Sequence, residues 1–174
     1  MARTDTVNQV TLSTLAWLGM AAYAAHILEE YTFDWRGWSQ STLGLPVQWN
    51  DFYVTNAVVI SLGIAQAMLA PTLPLAAIAF SGLMFINGVF MHIFPFLRTG
   101  RFSPGVITSV LLFLPQSIAM FHGALKTGAA SIATLLFGFL IGAAALAFPI
   151  GMLMLRSRPY FRQTPVDSNM EPLS

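Results

Sequence analysis

The chain contains no cysteine and few charged residues. None of its 174 residues is cysteine, so disulfides, thiolate metal ligands and cysteine nucleophiles are excluded, and any metal must be held by nitrogen and oxygen donors. Charged residues make up 9% of the sequence, far below the roughly 25% of soluble domains. The eight Lys and Arg residues are scattered and form no basic stripe, which excludes nucleic acid as a partner.

Apolar residues instead form long runs. Hydrophobic residues make up 56% of the chain and the mean hydropathy is +0.68, as in polytopic membrane proteins. A membrane-spanning helix needs about 20 mostly apolar residues, whereas strands are shorter and alternate in polarity. We therefore predict an all-α, polytopic membrane helix bundle with about five transmembrane helices. The predicted spans are residues 10–30, 52–69, 75–97, 103–125 and 129–155.

The predicted bundle forms one domain with a defined orientation. Residues 1–160 are predicted to be a single transmembrane domain, and residues 161–174 a flexible cytoplasmic tail. With five spans, six Arg residues fall on one side of the membrane and only Arg3 and Lys126 on the other. Because Lys and Arg accumulate in cytoplasmic loops, the C-terminus is predicted to be cytoplasmic. The six are Arg36, Arg98, Arg101, Arg156, Arg158 and Arg162.

Three titratable residues, His26, Glu29 and Glu30, close the first apolar run. We call them the HxxEE cluster. Residues three and four positions apart share a helix face, so these side chains are expected to converge. Ionisable groups inside a membrane are costly and usually face a bundle interior or a cavity. The cluster therefore indicates a functional site, although a solvated position with one Glu paired to Arg36 is the simpler alternative.

Polar residues of the other predicted spans reach the same membrane level. His92 lies near the end of the third span and Asn87 somewhat deeper, while Asn56 and Thr108 lie about one turn into the second and fourth spans. Each alone could serve interhelical hydrogen bonding. Together with the HxxEE cluster, however, they predict one shared pocket. His122 lies at the opposite end of the fourth span and is left out.

Two proline-containing segments predict local geometry near this level. Pro95 follows His92 by three residues and cannot donate to the carbonyl of Met91, so we expect an opened turn and a cavity there. Ser103 and Pro104 are suited to the N-cap and first position of a helix, which predicts that the fourth helix starts here.

Aromatic and glycine patterns leave alternatives open. Trp35, Trp38 and Trp49 between the first two spans predict either an interfacial aromatic belt or a lid over a site below. Gly138 and Gly142 form a GxxxG pattern that permits close helix packing within the chain or between two copies. A homo-oligomer therefore stays open.

These motifs resemble the HXXEE-domain family of small bacterial integral membrane proteins. The resemblance extends from the motif at 26–30 to Asn87 and His92 of the third span and to the Phe102-Ser-Pro-Gly105 segment, where the family usually has Tyr in place of Phe102. It implies a multi-pass protein of the bacterial cell (inner) membrane with a presumptive active site. It implies no established reaction.

The first functional hypothesis is a metal-dependent membrane enzyme acting on a lipophilic small molecule or lipid. Two imidazoles and two carboxylates suit one divalent transition metal, Zn, Fe or Mn, either with one Glu as ligand and the other as base or with both carboxylates bridging. The predicted metal ligands are His26, Glu29, Glu30 and His92, with Glu29, Glu30 and His26 as catalytic residues. The predicted substrate-binding residues are Asn56, Asn87 and Thr108.

Two other hypotheses fit the same residues. A metal-free acid–base enzyme, such as an isomerase, cyclase or epoxide hydrolase, could use a carboxyl group as proton donor, and small membrane sterol isomerases of the emopamil-binding type are a fold-level analogy. A non-enzymatic protein could instead conduct ions or protons, or hold haem between His26 and His92.

Overall fold

The computed structural model describes residues 2–156 and 158–161, and these residues form helices and connecting turns with no strand. The predicted tail at 161–174 lies, apart from Phe161, outside this part of the chain. Five of the helices are long and apolar enough to cross a membrane, which confirms the all-α fold and the number of spans. The helices are α1 (Ala2–Thr32), α2 (Trp35–Trp38, continued by a π-helical turn over Ser39–Leu43), α3 (Trp49–Leu69), α4 (Pro74–Thr99), α5 (Val106–Lys126) and α6 (Ile132–Arg156).

Helix α4 occupies the middle of the bundle and packs against α1, α3, α5 and α6. The GxxxG pattern of α6 serves this packing. A Cβ atom on Gly142 would lie 2.5 Å from the backbone nitrogen of Leu83, and one on Gly138 would lie 2.5 Å from Cγ2 of Ile78. Only hydrogen at these positions lets the two helices approach so closely. The pattern is therefore used within the chain.

Both α4 and α5 contain a widened, π-helical turn, at Asn87–Ile93 and Ser109–Phe113 respectively. At the end of the first, the Phe94 N–H donates to the carbonyl of Val89, five residues back. Pro95 follows immediately and lacks an N–H, which confirms the predicted opened turn. The two widened turns contact each other, and such turns are frequent at functional sites.

Helix α5 begins at Val106, so the start predicted at Ser103 is wrong. Ser103, Pro104 and Gly105 form a turn in which the Val106 N–H donates to the Ser103 carbonyl at 2.9 Å. Gly105 has a φ of 98°, which favours glycine because it has no Cβ. The helix could start later because its first N–H groups are satisfied by a side chain from another helix, as described below.

The polar residues of the predicted site lie at one end of the bundle, because the helices that carry them end or begin there. Helices α1, α4 and α6 end where α3 and α5 begin, and α2 lies over this end of the bundle. We call it the site end. The HxxEE cluster closes α1 there, His92 lies near the end of α4, and Thr108 lies in the first turn of α5.

Candidate metal centre

Three buried residues from two helices meet at the site end. His26 and Glu30 come from α1 and His92 from α4, and their exposed fractions are 1%, 6% and 0%. Nε2 of His26 lies 3.6 Å and Nε2 of His92 lies 3.4 Å from Oε1 of Glu30. One ligand atom from each residue falls within 4.8 Å of the other two, so the group could hold a metal ion.

The protonation pattern of His26 follows from its neighbours. The Thr108 hydroxyl donates to Oε2 of Glu29 at 2.6 Å, and a hydroxyl has only one proton to donate. Nδ1 of His26, 2.8 Å from the same hydroxyl oxygen, must therefore be the donor in that contact. Nε2 of His26 then carries no proton and has a free lone pair. The amide nitrogen of Asn87 lies 3.4 Å from it.

His92 is held in the same way. The carbonyl of Pro104 accepts a hydrogen bond from the ring, and the hydroxyl of Ser103 lies 3.4 Å from Nδ1. Nε2 of His92 is buried and has no hydrogen-bond partner among the residues that the structure describes. The proton therefore belongs on Nδ1, and Nε2 points its lone pair towards Glu30.

The centre consequently consists of three converging acceptors, two imidazole nitrogens and one carboxylate oxygen. Such a cluster favours a shared cation, because the acceptors repel one another where no donor lies between them, and the one donor near the two Nε2 atoms among the described residues is the Asn87 amide, 3.4 Å from Nε2 of His26. With bonds of about 2.0–2.1 Å, a tetrahedral Zn site has its ligand atoms about 3.3–3.4 Å apart. The two separations from Oε1 of Glu30, 3.4 and 3.6 Å, are close to that spacing, and all three ligand atoms lie within 4.8 Å of one another.

Glu29 does not join this centre in the structure. Its Oε1 accepts from the backbone N–H groups of Gly105 and Ile107 at 3.0 and 3.1 Å, and its Oε2 accepts from the N–H of Thr108 at 2.7 Å. The carboxylate thus caps the start of α5, where the helix dipole favours negative charge. It replaces the predicted Ser103 cap, and it lies outside the group of His26, Glu30 and His92 that could hold a metal.

Helix geometry explains this division of the HxxEE cluster. Successive residues are about 100° apart around a helix axis, so Glu29 and Glu30 flank the direction of His26 on opposite sides. One carboxylate consequently faces α5 and the other faces α4. Both are buried, and the guanidinium of Arg36 donates instead to Gln48, which removes the simpler alternative of a solvated pair with Arg36.

The predicted substrate-binding residues lie around the centre in different roles. Asn87 and Thr108 contact His26 directly. Asn56 lines a neighbouring cavity, and its Oδ1 accepts a hydrogen bond from the Tyr23 hydroxyl at 2.8 Å. The sequence pattern did not single out Tyr23, although Tyr23 precedes His26 by three positions and so shares its helix face.

Helix α2 covers the centre from outside the bundle. The indole of Trp38 is stacked beside the imidazole of His92, with ring centroids 6.4 Å apart and planes 19° apart. Trp35 lines the cavity beside Glu30, and Ser39 is fully buried. This is the covering position expected of a lid, while opening of the segment stays a prediction.

Gly105 packs directly on both imidazoles. A Cβ atom there would lie 2.6 Å from Cε1 of His92 and 2.7 Å from Cε1 of His26. We expect Gly105→Ala to lower the free energy of unfolding by about 1–3 kcal/mol through overpacking, in addition to the strain at positive φ. Gly100→Ala is the matched control, because Gly100 also has positive φ but no atom within 4 Å of its added Cβ. Thermal unfolding in one detergent compares the two, and equal losses would show that the rings tolerate the methyl group.

Comparison with protein families gave a match over most of the bundle. Residues 17–120 match a family model described as "protein of unknown function with HXXEE motif". The matched region covers more than half of the chain and contains every residue of the centre. Comparison with the curated proteins and with the solved structures gave no match.

Proposed function

The chain belongs to the family of proteins of unknown function with an HXXEE motif, and we propose that it is a membrane enzyme that holds one divalent transition metal on His26, Glu30 and His92. The observation that carries this proposal is the convergence of two buried Nε2 atoms on one buried carboxylate oxygen, with Nε2 of His92 lacking a hydrogen-bond partner among the described residues. Two imidazoles and one carboxylate suit Zn, Fe or Mn. Three protein ligands leave a coordination position open, as in catalytic sites.

The chemistry proposed for the metal is that of a Lewis acid, which polarises a bound water or a substrate oxygen. The residues of the chain prepare the site for it. Glu29 and Thr108 fix the ring of His26 with its Nε2 inward, and positioning partners of this kind tune metal sites. Helix α2 shields the centre on its outer side. We assign Glu29 and Thr108 positioning roles and keep Glu30 as the candidate catalytic carboxylate.

The proposed substrate is lipophilic. Glu30 and Asn87 line a cavity of about 330 Å³ whose deeper walls are apolar. The five long apolar helices indicate a multi-pass membrane protein, so a substrate can enter this cavity from the bilayer.

The geometry of the site fits the haem hypothesis and the metal-free acid–base hypothesis to different degrees. The rings of His26 and His92 meet edge to face with centroids 4.7 Å apart, whereas a haem iron between two imidazoles, with bonds of about 2.0 Å, separates the centroids by roughly 6 Å. Bis-His haem is therefore disfavoured. Metal-free acid–base catalysis would use the same three groups with a proton in place of the metal.

Metal analysis of the purified protein tests the proposal. We expect about one equivalent of Zn, Fe or Mn per chain after growth in metal-replete medium, and a loss of at least about tenfold in His92→Ala because a ligand is removed. His122→Ala is the control, since His122 is exposed and lies at the opposite end of α5. A metal-free wild type would contradict the metal centre and favour the acid–base alternative. Retention of metal by His92→Ala would contradict the ligand set.

We also propose that the site end faces the cytoplasm of a bacterial cell. Of the charged residues on the predicted cytoplasmic side, Arg36, Arg98, Arg101 and Arg156 flank the helix ends at the site end. Lys126 ends α5 at the other end of the bundle. A C-terminal reporter that is active only in the cytoplasm reads out this orientation, and its silence would reverse the assignment.

A further inference from the structure

A cavity of about 330 Å³ lies next to the metal centre, and α1, α3, α4 and α6 contribute to its walls. Its lining changes from polar to apolar with depth. Near the site end it is lined by Glu30, Asn56 and Asn87, and deeper in the bundle by Val59, Leu83 and Leu146. The polar end is the end that shares Glu30 with the centre, so whatever occupies the cavity presents its polar atoms there.

The depth of the cavity matches the length of one lipid alkyl chain in one leaflet of a bilayer. Its α6 wall extends from Ala145 to Arg156, and the eleven steps between these residues span about 16 Å at 1.5 Å per step. This is about half of the roughly 30 Å hydrocarbon core of a membrane. The volume is near the lower limit of about 300 Å³ for pockets that bind drug-sized ligands, which favours one chain over the two chains of a phospholipid.

The charge of the lining selects the head group. Arg156 is the cation among the described residues that line the cavity, and its guanidinium is engaged with both carboxylate oxygens of Asp51, with Nη2 to Oδ2 at 2.9 Å. This pair joins α6 to the start of α3 at the mouth of the cavity. The side chains of this lining therefore offer no unpaired cation to a carboxylate or phosphate, and the charge of the metal proposed at Glu30 is partly neutralised by that carboxylate, while amides and hydroxyls are present for a neutral head.

We propose that the cavity binds a single-chain amphiphile with an uncharged hydroxyl or carbonyl head, the head lying at Glu30 and the alkyl chain between α3 and α6. The inference deepens the proposed function, because it names the substrate class of the same centre. In this arrangement Leu146 and Ile150 of α6 contact the alkyl chain of the ligand. Helix α6 lies after residues 17–120, which match the family model. The wall of the cavity that limits the length of the alkyl chain therefore lies outside the matched region.

Photolabelling tests the inference. The probe is an analogue of 1-dodecanol that carries a diazirine near the end of its chain and an alkyne for detection, applied to the protein in lipid nanodiscs. We expect the label on α3 and α6 within the cavity, and a loss of at least about tenfold, equivalent to 1.4 kcal/mol, in Leu146→Trp, which fills the apolar end. Leu140→Trp is the matched control, because Leu140 lies on the same helix with 67% exposure.

Metal content is measured on every variant so that the two proposals fail separately. Leu146→Trp with normal metal and lost labelling supports the inference, and equal labelling of Leu146→Trp and Leu140→Trp overturns it. If Leu146→Trp loses metal and is therefore misfolded, Ile150→Phe replaces it under the same criteria. Labelling that depends on Leu146 in a wild type without metal supports the cavity and contradicts only the metal centre.

Competition identifies the head group. Unlabelled 1-dodecanol is expected to suppress labelling, whereas dodecanoate and lysophosphatidic acid at the same concentration are not, because the side chains of the cavity offer no free cation to their anionic heads. Stronger competition by either anionic compound would overturn the assignment of an uncharged head.

Discussion

Glu30→Gln is expected to strip the metal from the purified protein, whereas Glu29→Gln is expected to lose far less of it. Glu30 supplies the oxygen that faces both Nε2 atoms, and its replacement by a neutral amide removes the anionic ligand. We expect metal affinity to fall by at least about 100-fold, more than the 10- to 100-fold typical for loss of a residue that only supports a ligand. Metal content after dialysis against a weak chelator measures this.

The Glu29 variant should fail in a different way. Its carboxylate accepts from three backbone N–H groups and one hydroxyl at the start of α5, and an amide would turn its own N–H₂ towards these donors. We expect Glu29→Gln to lower the free energy of unfolding by about 2–4 kcal/mol, measured as a lower Tm in detergent. Equal metal loss in both variants would show that the two carboxylates share the metal, as the bridging alternative requires.

Thr108→Val is expected to weaken metal binding about 10- to 100-fold, although Thr108 is no ligand, because such supporting contacts tune metal affinity to this extent. Valine has the shape of threonine but can neither donate to Glu29 nor accept from Nδ1 of His26. The ring then loses the contact that keeps its Nε2 lone pair directed at the centre. Thr108→Ser restores the hydroxyl and is expected to bind metal within about threefold of wild type.

The measurement is a competitive titration against a chromogenic chelator, which gives a Kd for each variant. A merely structural role of Thr108 would lower Tm in Thr108→Val without changing the Kd of the folded protein. An unchanged Kd would therefore contradict the positioning of His26 by Thr108, and failure of Thr108→Ser to rescue binding would show that the methyl group matters instead.

The level of the site in the membrane could be predicted from the sequence. Long apolar runs fix where helices begin and end, and the ends of α1 and α4 carry His26 and His92. The opened turn before Pro95 was also predictable, because a missing N–H breaks the helical bond pattern wherever the chain places it. Both depend on residues close together in sequence.

The start of α5 was not predictable in the same way. Ser103 and Pro104 have the composition of a helix start, but the first backbone donors of this helix are satisfied by Glu29, which lies more than seventy residues earlier in the chain. The close packing of Gly105 on both imidazoles likewise depends on three helices meeting. The local helix-capping preference of Ser103 is overridden here by the contact with Glu29, which forms only when the helices of the bundle pack together.

A five-span helical bundle with a His/Glu cluster at one end could be predicted from the amino-acid sequence, because hydrophobic length and helical spacing are properties of single segments. The packing of the helices was needed to place Glu30 beside the two imidazoles and Glu29 at the start of α5. It also turns Nε2 of both rings inward and closes a cavity beside them with α6. Adjacent residues of one helix point about 100° apart, so the partner of each side chain depends on which helix packs on that side.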